Sequence, residues 1–124
     1  MVTAGKVFRL REPSPLSEIG SRVQGVRRAE AFEEGEYKFE LVTEVVGLTP
    51  REKALYGVYS HDYVTHVFHR GKVVPLPRTI EAMFCFAQHD NRVYLTVVEK
   101  KRLANFIANR LSETIFERVG HIVE

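Results

Sequence analysis

The segment HDYVTHVFHRGK, residues 61–72, contains the side chains of this sequence that most resemble a chemical site. Three histidines lie within nine positions: His61, His66 and His69. Asp62 follows the first of them directly. Imidazole is the commonest metal ligand and the side chain that most readily exchanges protons near neutral pH. A histidine metal site, or a catalytic dyad of His66 with Asp62, is therefore the first hypothesis to weigh.

The residue types around these histidines favour a β-strand, which would keep the imidazoles apart. Tyr, Val, Thr and Phe are enriched in strands. Successive strand side chains point to opposite faces, so His66 lies on the face opposite His61 and His69, and those two are about 26 Å apart in an extended chain. We therefore expect no metal site. For His66 we expect a hydrogen bond to a neighbouring carboxylate and no catalytic role.

Motifs for covalent catalysis are absent from the sequence. Its one cysteine, Cys85, excludes an internal disulfide and a cysteine-based zinc site, and in the apolar run MFCFA it is expected to be buried and inert. No nucleophile elbow or glycine-rich phosphate loop is present. In YKFELVTE, residues 37–44, the glutamates alternate with apolar residues, which places them on a solvent-facing side. We predict a non-enzymatic protein with no catalytic residue, metal or cofactor.

The composition indicates a single globular domain over residues 1–124. A hydrophobic fraction of 44% and a charged fraction of 27% are typical of a folded soluble protein. No apolar run reaches the roughly 20 residues that cross a bilayer, so we expect no membrane association. The amino terminus MVTAGKVFRL lacks a secretion-signal pattern, which predicts a cytoplasmic protein. Five Asn and Gln against 18 Lys and Arg indicate a heat-loving source.

The sequence predicts one strand, a short helix, a series of strands and a long final helix. Residues 6–11 alternate as a first strand, and Leu16, Ile19 and Val23 then mark a short helix. Several β-type runs follow, and residues 54–69 are compatible with one bent strand or two. A long helix closes the chain, with its apolar residues on one stripe. They are Leu103, Phe106, Ile107, Leu111 and Ile115. The predicted fold is α+β: a curved antiparallel sheet of about five to seven strands, with a short N-terminal helix and a long C-terminal helix packed on it, in the order β-α-β4-6-α.

The last predicted hairpin, TIEAMFCFAQ and RVYLTVV around Asp90 and Asn91, is apolar on both faces. A two-residue turn would pair Phe86 with Leu95, and on the other face Cys85 with Thr96. An antiparallel sheet with one wet face should instead alternate apolar and polar side chains. We therefore expect the second face to be covered by a helix, a ligand or another chain.

The segment VQGVRRAEAFEEGEYKFELVTEVVG, residues 23–47, resembles the START-like helix-grip proteins, a family of carriers of lipids and other apolar small molecules. The residues that carry the resemblance are Gly25, Val26, Gly35, Glu36 and Tyr37. The closing stretch LANFIANRLSETIF is similar to the family's last helix. The family has two helices between its first two strands, whereas this chain has room for one. The resemblance implies a ligand pocket between sheet and helix.

A competing resemblance is to the domain type of the TATA-box-binding protein, in which one strand, one helix, four strands and a final helix follow one another. That order accommodates the single short first helix. It implies a curved sheet surface that binds nucleic acid or protein partners.

Two binding hypotheses follow. In the first, an apolar small molecule or lipid lies between the sheet and the C-terminal helix. Its predicted ligand-binding residues are Phe84, Phe86, Tyr94, Leu95 and Phe106. In the second, the sheet surface binds nucleic acid or protein, as a homodimer. Its predicted nucleic-acid-binding residues are Arg70, Lys72, Arg78 and Arg92. The net charge of +2 does not by itself indicate nucleic acid. The ligand hypothesis is the first choice.

Overall fold

The computed structural model describes residues 4–117 and 120–123, and within these residues it contains seven strands and two helices. The elements are β1 (Lys6–Leu10), α1 (Leu16–Gln24), β2 (Arg27–Glu34), β3 (Tyr37–Pro50), β4 (Ala54–His69), β5 (Lys72–His89), β6 (Arg92–Val97), α2 (Lys101–Phe116) and β7 (Ile122–Val123). The predicted α+β class is confirmed. Residues 54–69 form one strand, β4. Across the described ranges, neither helix is long and apolar enough to pass through a membrane.

The strands form one open antiparallel sheet in the order β2-β3-β4-β5-β6-β1-β7. Four successive hairpins build β2 to β6, because each short turn brings the next strand beside the last. The first strand, β1, then pairs with β6, and β7 pairs with β1, so the first and last strands lie at the same edge of the sheet. The predicted sheet of about five to seven strands therefore has seven, and it stays open.

The hydrophobic core lies between one face of this sheet and the two helices. In the β5–β6 hairpin Phe84 pairs with Val97 and Phe86 with Leu95, which is the predicted register, and Asp90 and Asn91 form the turn with positive φ angles. The core side chains that these strands and helices bury most completely are Phe84, Phe86, Leu95, Val97, Ile19, Val23, Ile107, Leu111 and Ile115. Burial of these side chains supplies the main driving force for folding.

The second face of the sheet is open, so the expectation that a helix covers it is wrong. Both helices contribute their buried side chains to the core on the first face. On the second face Met83 is 59% exposed, and Cys85 and Tyr94 are half-buried. In the described part of the chain no element packs over them. A ligand or another chain remains as the predicted cover.

The sheet divides into two ribbons beyond Asp62. Strands β3 and β4 pair as far as Thr43 and His61 and then separate. The carboxylate of Asp62 accepts a hydrogen bond from the backbone N–H of Val42 (2.9 Å) and another from the hydroxyl of Thr79 (2.7 Å). These two hydrogen bonds connect β4 to β3 and to β5 at the point where the pairing between β3 and β4 ends. Strands β4 and β5 continue as a two-stranded hairpin, here called the arm, over residues 62–79.

Two prolines lie inside the arm, where β5 has only one neighbour. Pro75 and Pro77 pair with His66 and Val64 of β4, whereas β6 reaches β5 only from Phe84 onward. A proline nitrogen cannot donate to a second strand, so it is tolerated on this free edge. This stretch of β5 therefore lies at an edge of the sheet.

Candidate functional site

The residues predicted to hold an apolar ligand lie in three different environments. Phe84, Phe86 and Leu95 are fully buried and packed into the core beneath α2. Tyr94 is half-buried on the opposite face of the sheet. Phe106 lies at the rim of α2, 39% exposed, with its ring 5.5 Å from that of His61. The space between the sheet and the middle of α2 is therefore occupied by core side chains.

The residues predicted to bind nucleic acid are also distributed along the sheet. Arg70 and Lys72 lie at the tip of the arm, and Arg78 lies at its base, where it donates to the hydroxyl of Thr65 at 3.2 Å. Arg92 begins β6 opposite His89, which is about 36 Å along β5 from Arg78 at 3.3 Å per residue. The four cations therefore do not form one patch.

The three histidines have separate partners or positions. The ring of His61 shares a hydrogen bond with the hydroxyl of Thr43 (Nδ1 to Oγ1, 2.8 Å). His66 interacts with the carboxylate of Glu34 on β2 (Nε2 to Oε1, 3.0 Å), so its partner is not Asp62. His69 lies near the arm tip, paired with Lys72. Within residues 4–117 and 120–123, no group of three His, Cys, Asp or Glu residues is arranged to hold a metal ion.

A cavity of about 270 Å³ lies where the end of α1 meets β2, β3 and α2, and we call it the arginine cavity. It is lined by Arg22, Gly25, Val26, Arg27, Arg28, Thr43, Arg110 and Thr114. Sequence reasoning missed it. Arg27 and Arg28 are adjacent in the chain, but Arg110 reaches the cavity only through the packing of α2. No local sequence pattern predicts that Arg110 lies near the other two arginines.

Two of the four arginines in this cavity are neutralised by carboxylates. Arg22 pairs with Glu18 at 3.0 Å, and Arg27 pairs with Glu44 at 3.6 Å. For Arg28 and Arg110 the described residues provide no carboxylate oxygen within 4.0 Å. Neither of these two guanidinium groups therefore has an ion-pair partner in the described residues.

The positive charge of Arg110 acts on the pKa of two side chains of β4, Tyr59 and His61. Tyr59 is 2% exposed, and its hydroxyl lies close to the guanidinium donor of Arg110 but has no acceptor among the described residues. Burial raises the pKa of Tyr59, so the phenol stays protonated. Burial lowers the pKa of His61, and the positive charge of Arg110 lowers it further. Near pH 7 both side chains are therefore neutral.

The open face of the sheet carries a continuous band of apolar side chains, which we call the outer strip. It consists of Val7, Val46, Tyr56, Val58, Met83, Cys85, Thr96 and Val98. Cross-strand pairing aligns them: Tyr56 is opposite Cys85 and Cys85 opposite Thr96. The strip crosses five adjacent strands and is about 19 Å wide at a spacing of about 4.8 Å per strand. A shallow groove of about 440 Å³ follows its middle.

Opposite charges lie at the two ends of the outer strip. Glu81 precedes Met83 on β5 by two residues and shares its face, and Arg92 begins β6 at the other end. Arg9 lies at the Arg92 end, paired with Tyr94. None of these three has an ion-pair partner in the described residues. The strip is therefore apolar in the middle, acidic at one end and basic at the other.

No protein-family model, curated protein or solved structure matches this chain. The resemblances to the START-like proteins and to the TATA-box-binding-protein domain therefore stay predictions.

Proposed function

We propose that this protein is a non-enzymatic protein-binding module and that the partner of its outer strip is a second copy of the same chain. The observation that carries this proposal is the exposure of large apolar side chains on adjacent strands: Met83 is 59% exposed, Val7 58% and Tyr56 49%. Single exposed apolar residues are ordinary, but a contiguous patch of them marks an interaction surface. Two such sheet faces pack at a distance of about 10 Å.

The charges at the ends of the strip favour a second copy over an unrelated partner. In a two-fold dimer each contact occurs twice, so the surface must complement itself. A two-fold axis that crosses the strands places the acidic end of one strip over the basic end of the other. Glu81 on β5 of one protomer then approaches Arg92 on β6 of its partner. The two-fold axis repeats this contact, so Arg92 of the first protomer approaches Glu81 of the second. Complementary charges of this kind set orientation more than affinity.

The sheet-and-helix ligand site of the first hypothesis has less support. Phe84, Phe86 and Leu95 would have to separate from α2 to admit a ligand, and each is completely or almost completely buried. Opening that space would expose apolar surface at about 25 cal/mol per Å². The outer strip is accessible without any rearrangement.

The size of the strip predicts a weak dimer. A band of about 19 Å by about 14 Å covers about 270 Å², which is well below the about 800 Å² that each partner buries in a standard stable interface. We therefore expect a weak, transient dimer that forms only at high micromolar concentration or above.

Analytical ultracentrifugation over a concentration series tests the proposal, with Met83→Glu as the disrupting variant. A buried, unpaired carboxylate in the strip should shift the protein to monomer at all concentrations. Phe68→Glu is the matched control, because Phe68 is strongly exposed but lies near the tip of the arm. The control should associate like the parent. A parent that stays monomeric at millimolar concentration would refute the proposal.

The thiol of Cys85 provides an independent readout. It is the only cysteine, it is half-buried in the strip, and burial already raises its pKa, which slows alkylation. Dimer formation should slow alkylation further as protein concentration rises, and Met83→Glu should abolish this concentration dependence. A rate that is the same at all concentrations would contradict an interface over Cys85.

A further inference from the structure

The arginine cavity lies on the core side of the sheet, away from the outer strip, and it has the features of an anion site. Arg28 on β2 and Arg110 on α2 come from distant parts of the chain and line the same cavity. A guanidinium group is planar and presents its N–H donors in a fork that matches an oxyanion. Two cations without ion-pair partners beside one concave space repel each other, and an anion between them removes that repulsion.

Hydroxyl groups complete the donor set. Thr43 and Thr114 line the cavity beside the two arginines. The hydroxyl of Thr43 also bonds the ring of His61, so its orientation is fixed by a neutral imidazole. A hydroxyl held in this way can still bond a ligand oxygen through its second donor or acceptor position.

The phenol of Tyr59 is the second, independent observation that points to a ligand. It is almost completely buried, and the Arg110 guanidinium, which can only donate, lies close to its hydroxyl. Among the described residues the phenolic hydrogen has no acceptor, and a buried donor without an acceptor is unfavourable. Arg110 and Arg28, which both line the cavity, lie near this hydroxyl. An oxyanion there would supply the missing acceptor.

We infer that the arginine cavity binds the phosphoryl group of a small phosphomonoester between Arg28 and Arg110. Charge matching favours phosphate over carboxylate, because a phosphomonoester carries about −1.5 to −2 charges at pH 7 and offers three acceptor oxygens. One carboxylate would leave half of the cavity's positive charge uncompensated. The volume of about 270 Å³ exceeds what a lone phosphate fills, which leaves space for a small esterified group.

The surroundings argue against a nucleic-acid backbone as the source of the phosphate. The ribbon of β2 and β3 next to the cavity is rich in glutamate. These residues are Glu30, Glu33, Glu34, Glu36, Glu40 and Glu44. A polyanion entering the cavity would have to cross this acidic ribbon, whereas a small molecule meets only the local charge.

Isothermal titration of the full chain in phosphate-free buffer at about 50 mM salt tests the inference, with phenyl phosphate and inorganic phosphate as probes. We expect saturable binding of phenyl phosphate and weaker binding of inorganic phosphate. Arg28→Gln and Arg110→Gln should each weaken binding about ten-fold or more, because each removes a charge-assisted contact. Arg9→Gln is the matched control, since it removes an equal charge on the opposite face, and it should bind like the parent.

Tyr59→Phe keeps the core packing and removes only the hydroxyl, so it remains informative if an arginine variant fails to fold. It should weaken phenyl phosphate binding several-fold while leaving the circular dichroism spectrum unchanged. The inference is overturned by absence of saturable binding, by an equal loss in Arg9→Gln, by acetate binding as tightly as phenyl phosphate, or by a DNA duplex that competes through Arg28 and Arg110. Because the cavity and the outer strip are on opposite faces, failure of this site leaves the dimer proposal unaffected.

Discussion

Gly57 shows how closely a single position of β4 is constrained. A Cβ atom at this residue would lie 2.7 Å from the ring of Phe84 and 3.1 Å from the side chain of Leu48. Real Cβ atoms essentially never lie within 3.0 Å of another heavy atom, so the first of these contacts must change, and Phe84 is itself buried in the core. We expect Gly57→Ala to lower the free energy of unfolding by about 1–3 kcal/mol, the usual cost of overpacking. Urea denaturation measures it.

Gly25→Ala is the control for that substitution. A Cβ at Gly25 meets nothing within 4 Å, and its φ of −91° suits any residue. Its free energy of unfolding should be unchanged or up to about 1 kcal/mol higher, because alanine reduces the entropy of the unfolded chain. Equal losses in both variants would show that the ring of Phe84 is not the cause.

His61 should titrate below the usual range of histidine. Burial lowers its pKa first, and the charge of Arg110 adds to the effect. Removal of that charge in Arg110→Gln should move the pKa of His61 upward, toward the ordinary value of about 6.5. NMR titration of the imidazole Cε1 proton measures the change. An unchanged pKa would mean that Arg110 does not act on the ring.

The same shift makes stability depend on pH. Because the native pKa of His61 lies below that of the unfolded chain, the unfolded state binds the proton first as pH falls below about 6.5. The free energy of unfolding should therefore decrease from pH 7 downward until the native ring is also protonated. His61→Gln should reduce this slope in denaturation curves recorded between pH 5 and 8. A variant with the parent's slope would assign the pH dependence to other groups.

At the scale of elements, Asp62 determines where β3 and β4 stop pairing. Its carboxylate accepts from Val42 and Thr79, and both bonds are lost in Asp62→Ala. We expect the free energy of unfolding to fall by about 1 kcal/mol, since the group is partly exposed. Hydrogen exchange at the amide of Val42 should accelerate, whereas the amide of Val45, which bonds Val26, should not. Asp62→Asn, which keeps an acceptor, is the control.

Acid should weaken the same connection. The hydrogen bond from Val42, and then that from Thr79, lower the pKa of Asp62. The carboxylate therefore contributes stability above the unfolded pKa of about 4, and this contribution is lost as pH falls through the native pKa. Below pH 4 the parent should lose stability more steeply than Asp62→Asn. Parallel curves would show that ionisation of Asp62 does not matter.

At the scale of the whole molecule, the proposed two-fold dimer can be tested by exchanging charges. Glu81→Arg places like charges opposite each other and should weaken association about ten-fold, and Arg92→Glu should do the same. The double variant restores opposite charges in reversed order and should regain most of the parent's affinity in sedimentation. If the loss of association free energy in the double variant equals the sum of the losses in the two single variants, Glu81 and Arg92 do not face each other.

Local patterns in the sequence determined much of the fold but little of the sites. A two-residue turn at Asp90 and Asn91 predicted which residues of β5 and β6 pair, and the apolar stripe on residues 103–115 identified α2. The choice of ligand-binding residues was less useful, because Phe84 and Phe86 are equally apolar whether they line a pocket or fill a core. Alternation in the sequence indicates that a side chain is shielded from water. It does not indicate whether core side chains, a ligand or another chain provide the shielding.

The sequence by itself determined the antiparallel hairpins and the two amphipathic helices, because period-2 and period-3.6 patterns are local and appear within a few residues. Only the tertiary structure decided which face of the sheet the helices cover and which stays open, since both faces are apolar. It also decided that Arg28 and Arg110, distant in the chain, share one cavity with the hydroxyl of Tyr59 nearby. Contacts between residues that are distant in the chain depend on the packing of whole helices and strands, and no local sequence pattern predicts them.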